Sequence, residues 1–141
     1  MVNGASIPRT LWSTVGSPYT GDYRRAALVH DAAVGSSGVL RADADTMFYF
    51  ACLADGCSPV QAKMLYAGVR IGAWAATSPV LAMDPAAQLP DGYRLPGQQT
   101  ARELEVRARY TMIANQLMTT SDNFADIERV VDRHLGPPPR P

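Results

Sequence analysis

Charge of one sign, long apolar runs and cysteine are all in short supply in this sequence, and each shortage closes off a class of function. Thirteen basic and thirteen acidic side chains cancel. No basic run interleaved with aromatics occurs, so binding of nucleic acid through its phosphates is not expected. Arg, Lys or Gln breaks every apolar run within about a dozen residues, so no transmembrane segment is expected. The N-terminus lacks the basic start and apolar core of a signal peptide, and the expected location is the cytoplasm of the cell that makes the chain. Two cysteines, Cys52 and Cys57, cannot fill a four-coordinate zinc site. Cys52 falls on an apolar helical stripe and reads as a small core residue, and a disulfide between the two is not expected in a reducing cytosol.

What the sequence does have is helical periodicity. With 47% hydrophobic and 18% charged residues over 141 positions, the chain can bury a core in one domain with an appendage. Residues 1 to 22 read as irregular: Pro8 opens a short helical turn, Trp12 is expected to plug the core, and Gly16, Pro18 and Gly21 form a loop. A first helix follows from about Gly21 to Val34, capped by Thr20 or Asp22. A second runs from about Ala42 to Ala54, with Asp43 and Asp45 near its positive end and Gly56 as a left-handed cap. Ser58-Pro59 opens a third helix to about Ala76, with Val60, Met64, Ala67, Ile71 and Trp74 as its apolar stripe. On it, Gly68-x-x-x-Gly72 would admit a close neighbour.

The proline-rich stretch 77–98 reads as an arm whose Leu81, Met83, Leu89, Tyr93 and Leu95 need a surface to cover. A fourth helix, about Gln98 to Thr120, carries Val106, Tyr110, Ile113 and Leu117 on one stripe. A fifth, capped by Ser121-Asp122, turns Phe124, Ile127, Val131 and Leu135 inward and ends near His134, a capping residue rather than a ligand. A polyproline tail closes the chain. The fold class expected is mostly α, divided into a helical domain over 1–76, the arm over 77–98, a C-terminal helical extension over 99–135 and a mobile tail over 136–141.

Everything centres on the hairpin of the first two helices. The linker Gly35-Ser36-Ser37-Gly38-Val39-Leu40 is short enough to fold them back antiparallel. His30 lies five positions before that linker and Asp45 five after it. At ~1.5 Å rise per residue both sit roughly 7.5 Å from the bend, at equal depth. His30 shares the i, i+3, i+4 stripe of Tyr23, Ala26, Ala27 and Val34, and Asp45 that of Phe48, Tyr49 and Cys52. A carboxylate on an apolar stripe needs a partner, and the facing histidine is the nearest. Asp31, about 100° round the helix, is left to point at the Gly16–Gly21 loop. Arg9 could hold Asp31 or Asp45 ionised. The pair admits two uses: a working acid–base site, or a buried contact that only fixes helix register.

The motifs Asn3-Gly4-Ala5-Ser6-Ile7-Pro8-Arg9 with Leu11-Trp12, Gly16-x-Pro18-x-x-Gly21, Ala26-Ala27-Leu28-Val29-His30-Asp31 and Arg41-x-x-Ala44-Asp45-x-x-Phe48 together resemble an uncharacterised family common in phage and prophage genomes. The resemblance covers about residues 2 to 75. That family carries an aromatic three residues after the Asp of the His-Asp pair, where this chain has Val34. It also has a strand-rich stretch before the Gly-Ala-Ser-Ile-Pro motif, so a shortened or internally started version is expected here. More distantly, His-Asp in one helix and Asp early in the next is similar to the site of secreted and viral phospholipases of the A-two type. That similarity implies His30 as the base that activates water, Asp45 as its orienter and Asp31 as a calcium ligand. This chain lacks their glycine-rich calcium loop and their disulfides.

The expected function is therefore that of a phage- or prophage-encoded virion or assembly protein with a hydrolase-like His/Asp site. It would reside in the host cytoplasm or in a particle. Its expected partners are other particle or assembly proteins, or a second copy bound through residues 77–135. The alternative is a small metal-assisted hydrolase of esters or phospholipids.

Overall fold

The computed structural model of the chain describes residues 7–11, 24–35, 40–77 and 101–137. Among these residues the fold is mostly α, as the periodicity requires, with no strand. A 3-10 turn at Arg9–Leu11 precedes five helices: α1 (Arg24–Val34), α2 (Arg41–Ala54), α3 (Pro59–Thr77), α4 (Ala101–Leu117) and α5 (Phe124–Leu135). The proline-rich arm, Trp12, the Gly16–Gly21 loop, the Thr20 and Asp22 caps and the side chain of Arg9 lie outside the described residues.

Helix α3 is the centre. α2 packs on one side of it and α4 and α5 on others, while α1 packs on α2. Burial accordingly runs most of the way round α3, taking in Ala62, Leu65, Tyr66, Val69 and Ile71, as befits a helix enclosed by neighbours. The spacing predicts a single amphipathic stripe on this helix, and Val60, placed on that stripe, is exposed. Val60 stands in the first turn, next to the open end of the helix. The close approach expected at Gly68 is real: a Cβ there would meet Ile7 Cγ1 at 3.2 Å. Ile7 thereby fastens the N-terminal segment to α3.

Packing continues across the boundary expected at Ala76. Val106, Tyr110, Ile113 and Leu117 of α4 and Ile127, Val130 and Val131 of α5 are buried in the same apolar cluster as Phe48, Tyr49 and Leu65. Polar ties reinforce it. The Tyr110 hydroxyl donates to the Met64 carbonyl at 2.9 Å. Arg70, 4% exposed, donates to the Tyr66 hydroxyl, to Asp132 Oδ1 and to the Gly136 carbonyl. Lys63, the chain's single lysine, is buried and donates to the Thr120 carbonyl at 2.7 Å, with Asp122 at 2.8 Å.

Helix ends explain the two cysteines. Cys57 N–H donates to the Cys52 carbonyl and Gly56 N–H to the Leu53 carbonyl, with Gly56 at φ +100°. Those two bonds around a left-handed glycine are a Schellman cap, which brings together the residues five apart across it. Both thiols are free and buried, and burial, first of all, pushes the Cys52 thiol well up. The pair is a helix-end contact, as the packing reading of Cys52 anticipated.

At the start of α3, Ser58 Oγ accepts from Gln61 N–H at 3.2 Å, ahead of Pro59. The cap of α5 is Asn123, not Ser121-Asp122: its side chain accepts from Ala125 N–H at 2.9 Å. Ser121 bonds Asp126 instead, because the chain makes one more turn before entering the helix. His134 sits in the last turn of α5, the end at which a cation is favoured, and its ring is tied to Gln116 Oε1 at 2.8 Å. Helix α1 borrows a carboxylate from elsewhere: Asp55 Oδ2, at the end of α2, accepts from Ala26 N–H at 2.9 Å. An acid at a helix start answers both the unpaired N–H groups and the dipole.

Candidate functional site

The hairpin brings His30 and Asp45 together. His30 Nε2 lies 2.6 Å from Asp45 Oδ1, and both side chains are buried, at 0% and 1% exposure. Equal depth in the two helices and shared apolar stripes are why they meet. Ala26 and Ala27 on α1 and Ala44 on α2 are fully or almost fully buried, and such small side chains let the helices approach. Phe48, one turn beyond Asp45, sets its ring edge-to-face against the imidazole with centroids 5.3 Å apart, which fixes the ring plane.

A third residue joins them. Arg41 Nε donates to the same Asp45 Oδ1 at 3.0 Å, and its Nη2 to the Val69 carbonyl of α3 at 3.4 Å. Its side chain is 23% exposed, against 1% for Asp45, and is the solvent side of the cluster. Sequence reasoning passed over Arg41, although its i, i+4 spacing to Asp45 is a standard ion-pair signal on a helix. The Val69 contact, 28 residues away, has no such signature.

Two buried atoms of the cluster, His30 Nδ1 and Asp45 Oδ2, have no hydrogen-bond partner among the described residues. Buried polar atoms are nearly always satisfied, so leftover capacity marks a place where something else can bind or react. With Nε2–H donating to Asp45, the neutral ring carries its basic lone pair on Nδ1. A carboxylate that fixes the tautomer and orientation of a histidine is the arrangement general-base catalysis uses.

Asp31 is half-buried on α1, and the loop it is expected to face lies outside the described residues. Among the described residues no three His, Cys, Asp or Glu side chains gather closely enough to hold a metal ion. Calcium takes six to eight oxygen ligands, roughly. Among the described residues Asp31 brings one carboxylate toward that demand.

Residues 1–69, the half of the chain that carries this cluster, match a family described as "Protein of unknown function (DUF1353)". The matched segment contains His30, Asp31, Arg41 and Asp45 and ends on Val69, whose carbonyl holds Arg41. A relative in Sinorhizobium fredii (strain NBRC 101917 / NGR234), "Uncharacterized protein y4jT", is 37% identical over 65 residues, 46% of this chain and 19% of that protein. The chain therefore spans about a fifth of the length of the curated relative it matches. No solved structure matches. No described helix is long and apolar enough to cross a membrane.

Proposed function

We propose that the chain is a phage- or prophage-encoded particle or assembly protein whose hairpin carries a His/Asp hydrolase-like site. The observation that carries the catalytic part is the Nε2–Asp45 bond at 2.6 Å, with Nδ1 left over. In this reading Nδ1 takes a proton from a water molecule as its oxygen attacks an ester carbonyl. Asp45 holds the ring and stabilises the imidazolium that forms. His30→Ala abolishes hydrolysis of ester or phospholipid substrates while leaving helical content intact. A wild type inactive across broad ester panels, with and without added calcium, zinc or manganese, sinks the catalytic part.

A specific observation favours a second reading, in which the pair only fixes the register of α1 on α2. The His30 side chain is fully enclosed, and a buried polar contact can specify packing without doing chemistry. There the wild type turns nothing over, and His30→Ala costs stability alone.

Assembly requires a contact face, and α4 supplies support for one within the expected 77–135. Opposite its buried stripe run Ala101, Leu104, Ala108, Thr111 and Asn115, with Met118 just past its end, spaced alternately three and four apart and without a charge. Leu104 and Met118 are 55% and 60% exposed. That is the spacing of a coiled-coil seam. A second copy lying antiparallel sets Ala101 against Met118, Leu104 against Asn115 and Ala108 against Thr111. In analytical ultracentrifugation the wild type is expected to self-associate and Leu104→Glu to lose that association. A wild type that stays monomeric at high concentration overturns this contact.

A further inference from the structure

We propose that the helix hairpin makes a second contact between copies, in which α1 of one chain lies parallel along the outer face of α2 of the next. This rests on the assembly reading but not on the α4 contact. Each helix of the hairpin buries one side and leaves the other open. On α1, Ala26, Ala27 and His30 are buried while Arg25, Val29 and Ala32 are exposed. On α2, Asp45, Phe48 and Cys52 are buried while Asp43, Met47 and Phe50 are exposed. At about 100° of turn per residue, each exposed set lies opposite the buried one. Val29, Met47 and Phe50 are 43%, 47% and 52% exposed, and Leu28 beside Val29 is 54% exposed. Apolar side chains gathered on one helix face, unlike scattered ones, mark a contact.

The two sets match. Arg25, Val29, Ala32 and Asp43, Met47, Phe50 both step by four positions and then by three. Laid parallel, they set Arg25 against Asp43, Val29 against Met47 and Ala32 against Phe50. A cation meets an anion, two apolar side chains meet, and a small one faces a large one. Laid antiparallel, Arg25 would face Phe50 and Asp43 would face Ala32, and the charges would go unpaired. Complementarity in charge and size is what selects a second copy as the occupant. The Phe50 ring is held in place by Tyr49 at 5.2 Å and Phe124 at 5.6 Å between centroids, and a fixed, half-exposed aromatic is the usual anchor of an interface. One chain cannot join these faces within itself, because its own α1 and α2 already pack through their buried stripes. The contact is therefore head-to-tail and repeats into a ring or an open filament, whereas the antiparallel α4 contact closes a pair. Being the shorter seam, it joins such pairs at higher concentration.

The experiment is sedimentation at high concentration of the full chain carrying Leu104→Glu, which takes away the α4 contact. That chain is compared with the same chain bearing Arg25→Glu, bearing Asp43→Arg, and with those two variants mixed in equal amounts. The Leu104→Glu chain forms species that grow with concentration. Either added substitution puts like charges together at every seam and weakens the association about tenfold. The mixture restores it, because the new glutamate of one variant meets the new arginine of the other, and Arg25 of the second meets Asp43 of the first. A misfolded variant would not recover on mixing. A Leu104→Glu chain that is monomeric at every concentration overturns the seam, and the α4 contact stands if the wild type still pairs. A mixture no better associated than its components overturns the seam as well. If the wild type and the Leu104→Glu chain associate alike and follow the charge pattern, the seam holds and the α4 contact falls instead.

Discussion

Two buried polar clusters sit on different sides of α3, and they are built to opposite rules. In the first, Arg70 spends its guanidinium on the Tyr66 hydroxyl at 2.7 Å, Asp132 at 2.6 Å and the Gly136 carbonyl at 3.0 Å. No buried side-chain atom of those residues is left without a partner among the described residues. In the second, His30, Asp45 and Arg41 crowd onto one oxygen while His30 Nδ1 and Asp45 Oδ2 remain over. Burial pulls the Arg70 charge down, but Tyr66 and Asp132 more than offset it. A saturated cluster joins elements and resists change. One with leftover capacity bears a cost in stability that makes sense where a group must react.

The largest expected effect comes from removing the partners of the saturated cluster altogether. Ending the chain at Ala76 strips Arg70 of Asp132, Lys63 of Thr120, and α3 of the α4 and α5 side chains it shares a core with. This tests the expected boundary between 1–76 and 99–135. The fragment is expected to lose cooperative urea unfolding, and a sharp two-state transition in it would restore an independent domain.

Next comes Asp132→Ala, which leaves a buried guanidinium short of its anion. We expect a loss of about 2–3 kcal/mol, below the ~3–5 kcal/mol of a fully buried broken pair because Asp132 is partly exposed. Hydrolysis per folded molecule should not change. Smaller in stability is His30→Ala, about 1–2 kcal/mol, since Arg41 still engages Asp45. Here it is activity that goes. If the two variants exchange these signatures, the contrast between the clusters collapses.

Two finer tests concern the end of α2. Gly56→Ala has open space for its methyl but must hold φ +100°, and is expected to cost about 1 kcal/mol. Smallest of all, Cys52 should resist thiol reagents at neutral pH until the chain unfolds. Its raised thiol stays protonated, and the thiolate is the reactive form. Rapid labelling of Cys52 in the folded chain would overturn its burial as a protonated thiol.

Much of the hairpin was legible beforehand because its signals are local. Stripe spacing placed Ala26, Ala27 and His30 on one buried face and Asp45, Phe48, Tyr49 and Cys52 on the other. The short linker put His30 and Asp45 at the same level. The Ser58-Pro59 start and the Gly56 stop are also written within a few residues of where they act. Val34 shows the limit: on the expected stripe, it is 37% exposed at the last position of α1.

The sequence by itself determined that the chain is helical, roughly where each helix begins and ends, and which histidine meets which carboxylate. Each of these depends on contacts within a turn or across one short linker, where distance along the chain stands in for distance in space. Only the tertiary structure decided who completes the site and how the fold is locked. Arg41 reaches Val69 across 28 positions, Asp55 caps α1 across 29, Lys63 finds Thr120 across 57, and Arg70 finds Asp132 across 62 and Gly136 across 66. Those partners follow from how helices cross and stack. Side-chain shape over the whole core sets that geometry, and no local period encodes it.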